Sequence, residues 1–250
     1  MKDSKNKPNK KEIFQYLALG FLGTPLTLFL LFSGIQRTTA IDSTIIGIIT
    51  PILVIMGGVL FLKEKLTKAE TVGISLALAG TLVTIVQPFL ESKAQVGQNI
   101  YGNFLVLLGT ITWAAFTLIT KKLCRRLDPF ILSASSFIIA LFCFIPLVLT
   151  DKTSLLLPAN AIWGVLYMAI LGSVIAYSAY IYGLSKIEAS EATVFTYLQP
   201  VFAIPASILL LGEKTTAPFW VGAILIIAGV FICEVRIGLS GKRKNQELTQ

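Results

Sequence analysis

Aromatic side chains inside long apolar stretches are the residues of this sequence that could contact a ligand. Tyr177 and Tyr180 are three residues apart and share one face of a helix, and Trp113 lies well inside another apolar stretch. Aromatic residues near the ends of such stretches are usually anchors at the membrane interface, which suits Tyr101 and Tyr182. For Trp113, Tyr177 and Tyr180 the sequence leaves two interpretations open, lining of a cavity or ordinary anchoring and packing.

Two prolines lie near the middle of apolar stretches, Pro51 within residues 43–62 and Pro200 within residues 192–212. A proline removes one helical hydrogen bond, and in lipid the freed carbonyl needs another partner. Thr50 and Gln199 directly precede the two prolines and add polarity at the same depth. We predict that both helices form cavity walls, and the alternative is an ordinary packed kink.

The sequence lacks the groups that most catalytic and cofactor-binding sites require. It contains no histidine, and its three cysteines argue against a disulfide framework. Asp42 and Glu191 stand at helix starts, and no acidic residue lies in the middle of an apolar stretch. No nucleophile with a neighbouring base is visible. We therefore predict that the protein is not an enzyme, with no catalytic residue, no metal and no cofactor.

The distribution of charge defines the elements that position these residues. Hydrophobic residues make up 55% of the 250 and charged residues 14%, whereas a soluble domain carries about 25% charged residues. Eight uncharged windows are each long enough for the roughly 20 residues that a transmembrane helix needs. We predict an all-α polytopic membrane protein with eight transmembrane helices. The windows are 13–36, 43–62, 71–90, 94–120, 129–150, 153–185, 192–212 and 215–233.

The positive charges indicate how the chain lies in the membrane. If the N-terminus is cytoplasmic, eight crossings leave only Arg37, Lys93, Lys152 and Lys214 outside, so 17 of the 21 Lys and Arg residues are inside. This asymmetry is the positive-inside pattern of cytoplasmic-membrane proteins. We predict a multi-pass protein of that membrane, with residues 1–12 and 239–250 as cytoplasmic tails. A nucleic-acid partner is not expected, because the net charge of +8 is not gathered on a soluble module.

The chain contains an internal repeat. Residues 22–84 align without a gap to residues 171–233, an offset of 149, and 17 of the 63 pairs are identical. The matched markers are polar as well as apolar, so composition alone does not explain them. They pair Pro51 with Pro200, Glu64-Lys65 with Glu213-Lys214, Gly73 with Gly222 and Gly80 with Gly229.

Two sets of these repeat markers have different interpretations. The charged markers follow the ends of apolar windows and are Glu64, Lys65, Glu213 and Lys214. Such residues are either interfacial charges or a gate or tether that closes each half. The glycines of each pair are seven residues apart and therefore share one helix face. Small residues let helices in a membrane approach closely, so we interpret the glycines as packing residues.

With the repeat offset, the first predicted span aligns with the sixth. Because this is an odd number of crossings, we predict that the two copies are inverted relative to each other. We predict a first repeat over 13–90 and a second over 102–237. The second copy has two further helices ahead of its matched part, and the first copy has only a twelve-residue tail there. By symmetry, we predict that two helices are missing at the N-terminus.

These markers, with Trp113 followed by Lys121-Lys122, resemble those of EamA-type permeases of the drug/metabolite transporter superfamily, over about residues 13–237. The resemblance implies ten helices in two inverted five-helix repeats, so the chain is either an incomplete form or an eight-helix variant. It also implies a permease or exporter of small organic metabolites or drugs that works by alternating access. The alternative is a non-transporting membrane scaffold or partner subunit. The expected partners are an unknown small-molecule substrate, membrane lipids, and a homodimer mate or complementing helices.

Overall fold

The structure, a computed structural model, describes residues 9–38, 43, 46–91, 100–124, 126–150, 161–199, 201–202 and 220–233, with the backbone alone for 84–91. These residues are helical and contain no strand, which confirms the predicted all-α fold class. Asp42, Pro200, Glu213 and Lys214 lie outside the described residues. The helices are α1 (Lys10–Ile35), α2 (Ile49–Leu62), α3 (Lys68–Glu91), α4 (Ile100–Leu123), α5 (Pro129–Thr150), α6 (Ala161–Lys186), α7 (Ala189–Val194, then a 3₁₀ turn Phe195–Leu198) and α8 (Trp220–Cys233).

The helices suit a membrane by length and composition. Each predicted uncharged window overlaps one of the described helices. Within the described residues α1, α4, α5 and α6 are long and apolar enough to cross a bilayer, while α2 and α8 are shorter apolar helices. Large apolar side chains such as Phe142 and Leu149 on α5 are exposed. The chain is therefore a polytopic membrane protein.

Local capping residues determine where several helices begin. Asp128 precedes Pro129 at the start of α5, and its carboxylate accepts the backbone N–H of Phe130 at 2.8 Å and of Ile131 at 3.2 Å. Proline suits the first helical position because its missing N–H would have no helical partner there. At the start of α3 the side chain of Glu70 accepts the N–H of Thr67, whose hydroxyl accepts the N–H of Glu70. These pairs satisfy donors that a helix start leaves unpaired.

The helices form two compact units, and each unit contains helices from both predicted repeats. The first unit contains α1, α4, α5 and α6, and the second contains α2, α3, α8 and α7 from Ser190 onward. The core of the first unit includes Leu19 of α1, Phe116 of α4, Leu132 of α5 and Ile181 of α6, which are all buried. The boundaries of the two units therefore differ from the boundaries of the two predicted repeats.

Close approach between glycines holds α3 against α8 in the second unit. A Cβ atom added at Gly229 would lie 2.5 Å from the carbonyl oxygen of Gly73, and one added at Gly73 would lie 2.6 Å from the carbonyl oxygen of Gly229. Two turns further along, a Cβ at Gly80 would lie 2.6 Å from the carbonyl oxygen of Gly222. The four repeat glycines therefore lie at a backbone-to-backbone contact that no side chain can enter.

Two helices depart from regular geometry near their prolines. α1 widens into a π-helical turn at Leu22–Leu26, which contains Pro25, and the Thr27 hydroxyl donates to the Leu22 carbonyl at 2.7 Å. In the second repeat a π-helical segment, Met168–Ile175, covers the matching positions of α6. Ahead of Pro51 the chain forms a turn at Ile48, where the missing proline N–H leaves the helix interrupted.

Candidate functional site

An aromatic cluster occupies the middle of the first unit. The ring of Trp113 on α4 stacks on Tyr180 of α6 with centroids 5.6 Å apart and contacts Tyr177 at 6.2 Å. Tyr177 also contacts Phe116 at 6.2 Å and Phe137 of α5 at 5.4 Å. Phe116 is fully buried, whereas Trp113, Tyr177 and Tyr180 keep part of their surface exposed. The structure thus brings together three of the predicted cavity residues.

A set of hydroxyl groups surrounds these rings. The hydroxyl of Thr24 on α1 donates to the Tyr177 hydroxyl at 3.3 Å, and Tyr177 donates to Ser136 of α5 at 3.4 Å. The hydroxyls of Tyr180 and Thr117 on α4 lie 3.1 Å apart. These groups come from all four helices of the first unit. We name Thr24, Trp113, Phe116, Thr117, Ser136, Phe137, Tyr177 and Tyr180 the aromatic–hydroxyl cluster.

The aromatic–hydroxyl cluster has polar groups but no charge. The stretches 13–36, 94–120, 129–150 and 153–185 contain no Asp, Glu, Lys or Arg. The indole N–H of Trp113 makes no hydrogen bond within the described part of the chain, so a donor remains available beside exposed ring surface. Such a site can stack a flat ring and hydrogen-bond a neutral group, and its ring faces attract cations. It offers no counter-ion to an anion.

The other predicted cavity residues that the structure describes, Thr50, Pro51 and Gln199, belong to the second unit. Pro51 is buried in the first turn of α2, and Thr50 beside it is partly exposed. Gln199 is exposed at the end of the described part of α7. Tyr197, two residues earlier, is buried, and its hydroxyl has no partner among the described residues. The structure therefore places these residues in another unit from the aromatic–hydroxyl cluster.

Glu64 links the end of α2 to the beginning of α7 within the second unit. Lys63 adopts a left-handed conformation with a φ of 59°, and the N–H of Glu64 donates to the Gly58 carbonyl at 3.0 Å, which closes α2. The turn directs the Glu64 carboxylate to Ser190, where it accepts the hydroxyl at 2.7 Å and the backbone N–H at 3.1 Å. A carboxylate suits this position because a helix start carries unpaired N–H groups and partial positive charge. Lys65 is exposed.

We expect the change Glu64→Ala to destabilise the second unit by about 1.5–3 kcal/mol, the typical contribution of a hydrogen bond to a charged group. The change Gly58→Ala should act in the same direction, because a Cβ there would lie 2.5 Å from the Glu64 carboxylate oxygen. Thermal unfolding of the purified variants in detergent measures both effects. The matched control is Lys65→Ala, which should stay within about 0.5 kcal/mol of the parent. Equal stability of the Glu64 and Lys65 variants would show that the link contributes nothing.

Lys121 on α4 forms hydrogen bonds with the end of α6 in the first unit. Its ammonium donates to the backbone carbonyl of Leu184 at 3.1 Å and to that of Ile187. A cation is favourable there because the last carbonyls of a helix lack partners and carry partial negative charge. Burial raises the pKa of the Cys124 thiol to about 11, and the nearby Lys121 charge opposes this rise in pKa.

The raised pKa of Cys124 predicts slow alkylation by maleimides. Only the thiolate reacts, and with a pKa of about 11 about one thiol in a thousand is ionised at pH 8. The rate should therefore rise about tenfold per pH unit from pH 8 to pH 10. The measurement uses a variant in which Cys143 and Cys233 are alanine, so that Cys124 is the remaining thiol. A rate that levels off by pH 9 would contradict the pKa.

Sequence reasoning missed Thr24, Phe116, Thr117 and Phe137 of the aromatic–hydroxyl cluster. Thr117 lies four residues after Trp113, so helical spacing could have placed it on the same face. Thr24 directly precedes Pro25, the same pattern as Thr50 before Pro51. Phe116 gave no signal of its own, because an apolar side chain in an apolar helix looks the same whether it faces a site or lipid.

The sequence is similar to those of proteins named as transporters, and the fold is similar to that of a solved structure. A profile of the EamA-like transporter family matches residues 1–86 and 100–234. The uncharacterized transporter YetK of Bacillus subtilis is 29% identical over 232 residues, which are 91% of this chain and 69% of that protein. An uncharacterized transporter of Archaeoglobus fulgidus is 29% identical over 223 residues, covering 89% of this chain and 78% of the relative. A crystal structure with 15% identity superposes with a TM-score of 0.76 over 92% of this chain and 80% of its own, which shows a shared fold.

Proposed function

Because the chain belongs to the EamA-like transporter family, we propose that it carries small organic molecules across the cytoplasmic membrane by alternating access. The observation that supports this proposal is the aromatic–hydroxyl cluster, to which all four helices of the first unit contribute. Polar groups placed in the middle of apolar helices are costly unless they bond one another or serve a ligand. A transporter needs such groups at membrane depth, whereas a purely structural bundle does not.

The chemistry of the aromatic–hydroxyl cluster favours neutral or cationic substrates that contain an aromatic ring. Ring faces stack on flat molecules and attract cations, with about 0.5–2 kcal/mol for each cation–π contact. An anion would lose its hydration without gaining a counter-ion, because no charged residue lies in the spans around the cluster. The lack of a titratable group at that depth also favours facilitated diffusion or exchange over proton antiport.

The proposed orientation places both termini in the cytoplasm, because only four of the 21 basic residues would then lie outside. Reporter fusions should report residues 1–12, 121–128 and 239–250 as cytoplasmic and 91–101 as external. Termini on opposite sides would contradict an even number of crossings and the inverted repeat with it.

Uptake into reconstituted vesicles tests the proposed function. The probes are two pyrene compounds with the same ring and opposite charge, a trimethylammonium derivative and a sulfonate, because permanent charges slow passive leakage. Vesicles with the protein should take up the ammonium probe faster than protein-free vesicles and should not take up the sulfonate faster. Equal uptake of the ammonium probe with and without protein would overturn this proposal. That outcome would favour the alternative of a non-transporting scaffold or partner subunit.

A further inference from the structure

Two exposed aromatic rings lie where α5 begins and α6 ends. Phe130 on α5 and Tyr182 on α6 stack with ring centroids 5.7 Å apart. Phe130 is 60% exposed and Tyr182 is 46% exposed. The charge-free window of α5 begins at residue 129 and that of α6 ends at residue 185, so both rings lie at the boundary between apolar and charged sequence. Aromatic side chains at such a boundary are typical of the level of the lipid headgroups.

A lysine lies over one of these rings. Lys186, the last residue of α6, is exposed, and its ammonium nitrogen is 5.2 Å from the centroid of the Tyr182 ring. An aromatic face attracts a cation but does not supply a negative charge to pair with it. Lys186 forms no ion pair within the part of the chain that the structure describes. The ammonium therefore lies at the level of the headgroups without an anion.

Capping of α6 does not account for the position of Lys186. A lysine in the last turn of a helix commonly bonds the terminal carbonyls. At the end of α6 other donors already serve them. Lys121 donates to the carbonyls of Leu184 and Ile187, and the N–H of Ile187 donates to the Gly183 carbonyl at 3.1 Å. Lys186 is thus released from the capping role.

The matched residue of the first repeat behaves differently. Arg37 lies 149 positions before Lys186, just beyond the end of α1, and its guanidinium donates to the Ser33 carbonyl at 2.7 Å. The same offset pairs Ser33 with Tyr182, so the first copy has no ring at this position. Arg37 therefore caps its own helix, whereas Lys186 rests on a ring and remains available to an anion.

The charge around the end of α6 is positive. Residues 121–130 and 182–188 contain five basic and two acidic residues. One of the acidic residues, Asp128, accepts two backbone N–H groups at the start of α5, and the other is Glu188. Exposed Lys122 and Arg126 add to the positive side. A negatively charged group is therefore attracted to this end of the first unit.

We propose that Phe130, Tyr182 and Lys186 form a docking surface for one anionic phospholipid, with phosphatidylglycerol as the simplest example. The lipid phosphate accepts a hydrogen bond from the Lys186 ammonium, and the acyl chains cover the two exposed rings. A lipid suits both parts of the surface. A soluble anion would leave the rings uncovered, and an apolar helix would leave the ammonium without an anion.

Native mass spectrometry of the purified full chain in detergent tests this surface. The probes are dioleoyl phosphatidylglycerol and dioleoyl phosphatidylcholine, which have the same acyl chains and differ in net charge. The parent should bind the phosphatidylglycerol more tightly. Lys186→Gln should lower this preference about fivefold, the effect of one lysine at a lipid surface, and Tyr182→Leu should lower it in the same direction. Lys186→Arg should keep the preference, because it keeps the charge.

Arg37→Gln is the matched control for the lipid surface. It removes the same charge from an exposed residue at the matched repeat position, and it should leave the preference unchanged. Unfolding temperatures show that each variant is folded. Equal losses from Lys186→Gln and Arg37→Gln would indicate a general effect of charge and would overturn the proposal. Displacement of the lipid by an equal concentration of glycerol phosphate would also overturn it, because the site would then bind the phosphate alone.

Discussion

Replacing Gly229 with leucine should leave only a small fraction of the protein folded. The first side-chain atom alone would lie 2.5 Å from the Gly73 carbonyl oxygen and 2.7 Å from the Ala77 nitrogen, and both are backbone atoms that cannot rotate away. α3 and α8 would have to separate along the contact that holds them together. Overpacking usually costs about 1–3 kcal/mol when side chains can adjust, so we expect a cost of at least about 3 kcal/mol here. Size-exclusion profiles and unfolding temperatures in detergent measure this loss.

Gly47→Leu is the control for this substitution. Gly47 is also helical, and no described atom lies within 4 Å of its hypothetical Cβ. Leucine is a better helix former than glycine by up to about 1 kcal/mol, so the control variant should be as stable as the parent or slightly more stable. If Gly229→Leu were as stable as Gly47→Leu, the close contact between α3 and α8 would be incorrect.

Replacing Trp113 with alanine should weaken binding and uptake of the pyrene ammonium probe by at least about tenfold, which corresponds to 1.4 kcal/mol. The substitution removes the ring that stacks on Tyr180 and the indole N–H that remains available to a ligand. The ring contacts of Trp113 also support the fold, so the unfolding temperature of each variant is measured beside its uptake rate per folded molecule.

Trp163→Ala is the matched control for the substitution at Trp113. Trp163 is 77% exposed on α6, outside the aromatic–hydroxyl cluster, so its removal should not change uptake of the ammonium probe. Tyr180→Ala should behave like Trp113→Ala, because the two rings form one stacked surface. If Trp113→Ala lowered stability but left uptake per folded molecule unchanged, the ring would be a packing residue and not part of a substrate site.

Charge-free windows predicted the helices because the cost of placing charge in lipid dominates the sequence pattern of a membrane protein. The helix ends were less predictable. α1 begins at Lys10, ahead of the window that starts at residue 13, since Asn9 and Glu12 cap it in solvent. α4 extends through Lys122 for a related reason, because cations are favourable in the last turn of a helix. Charge-free windows mark the apolar part of a helix, and capping residues set its ends.

The sequence predicted Trp113, Tyr177 and Tyr180 of the aromatic–hydroxyl cluster, but it did not predict which residues of other helices contact them. Spacing put Tyr177 and Tyr180 on one helix face, and the structure adds Trp113 to the same surface. Spacing along one helix cannot show which other helix lies opposite. The pairing of Thr24 with Tyr177 joins residues 153 positions apart, and the link between Glu64 and Ser190 joins residues 126 apart. The same limit explains why the two compact units, which mix helices from both repeats, could not be predicted.

Fluorescence of a single-tryptophan variant tests most directly whether substrates bind at the aromatic–hydroxyl cluster. The chain has three tryptophans, and Trp163 and Trp220 are exposed, so changing both to phenylalanine leaves Trp113 as the sole reporter with little disturbance. Pyrene accepts energy from tryptophan at short range. We expect saturable quenching of Trp113 by the pyrene ammonium probe, no saturable quenching by the sulfonate, and loss of saturation on Tyr180→Ala. Equal, unsaturable quenching by both probes would mean partition into detergent and would contradict a substrate site at this cluster.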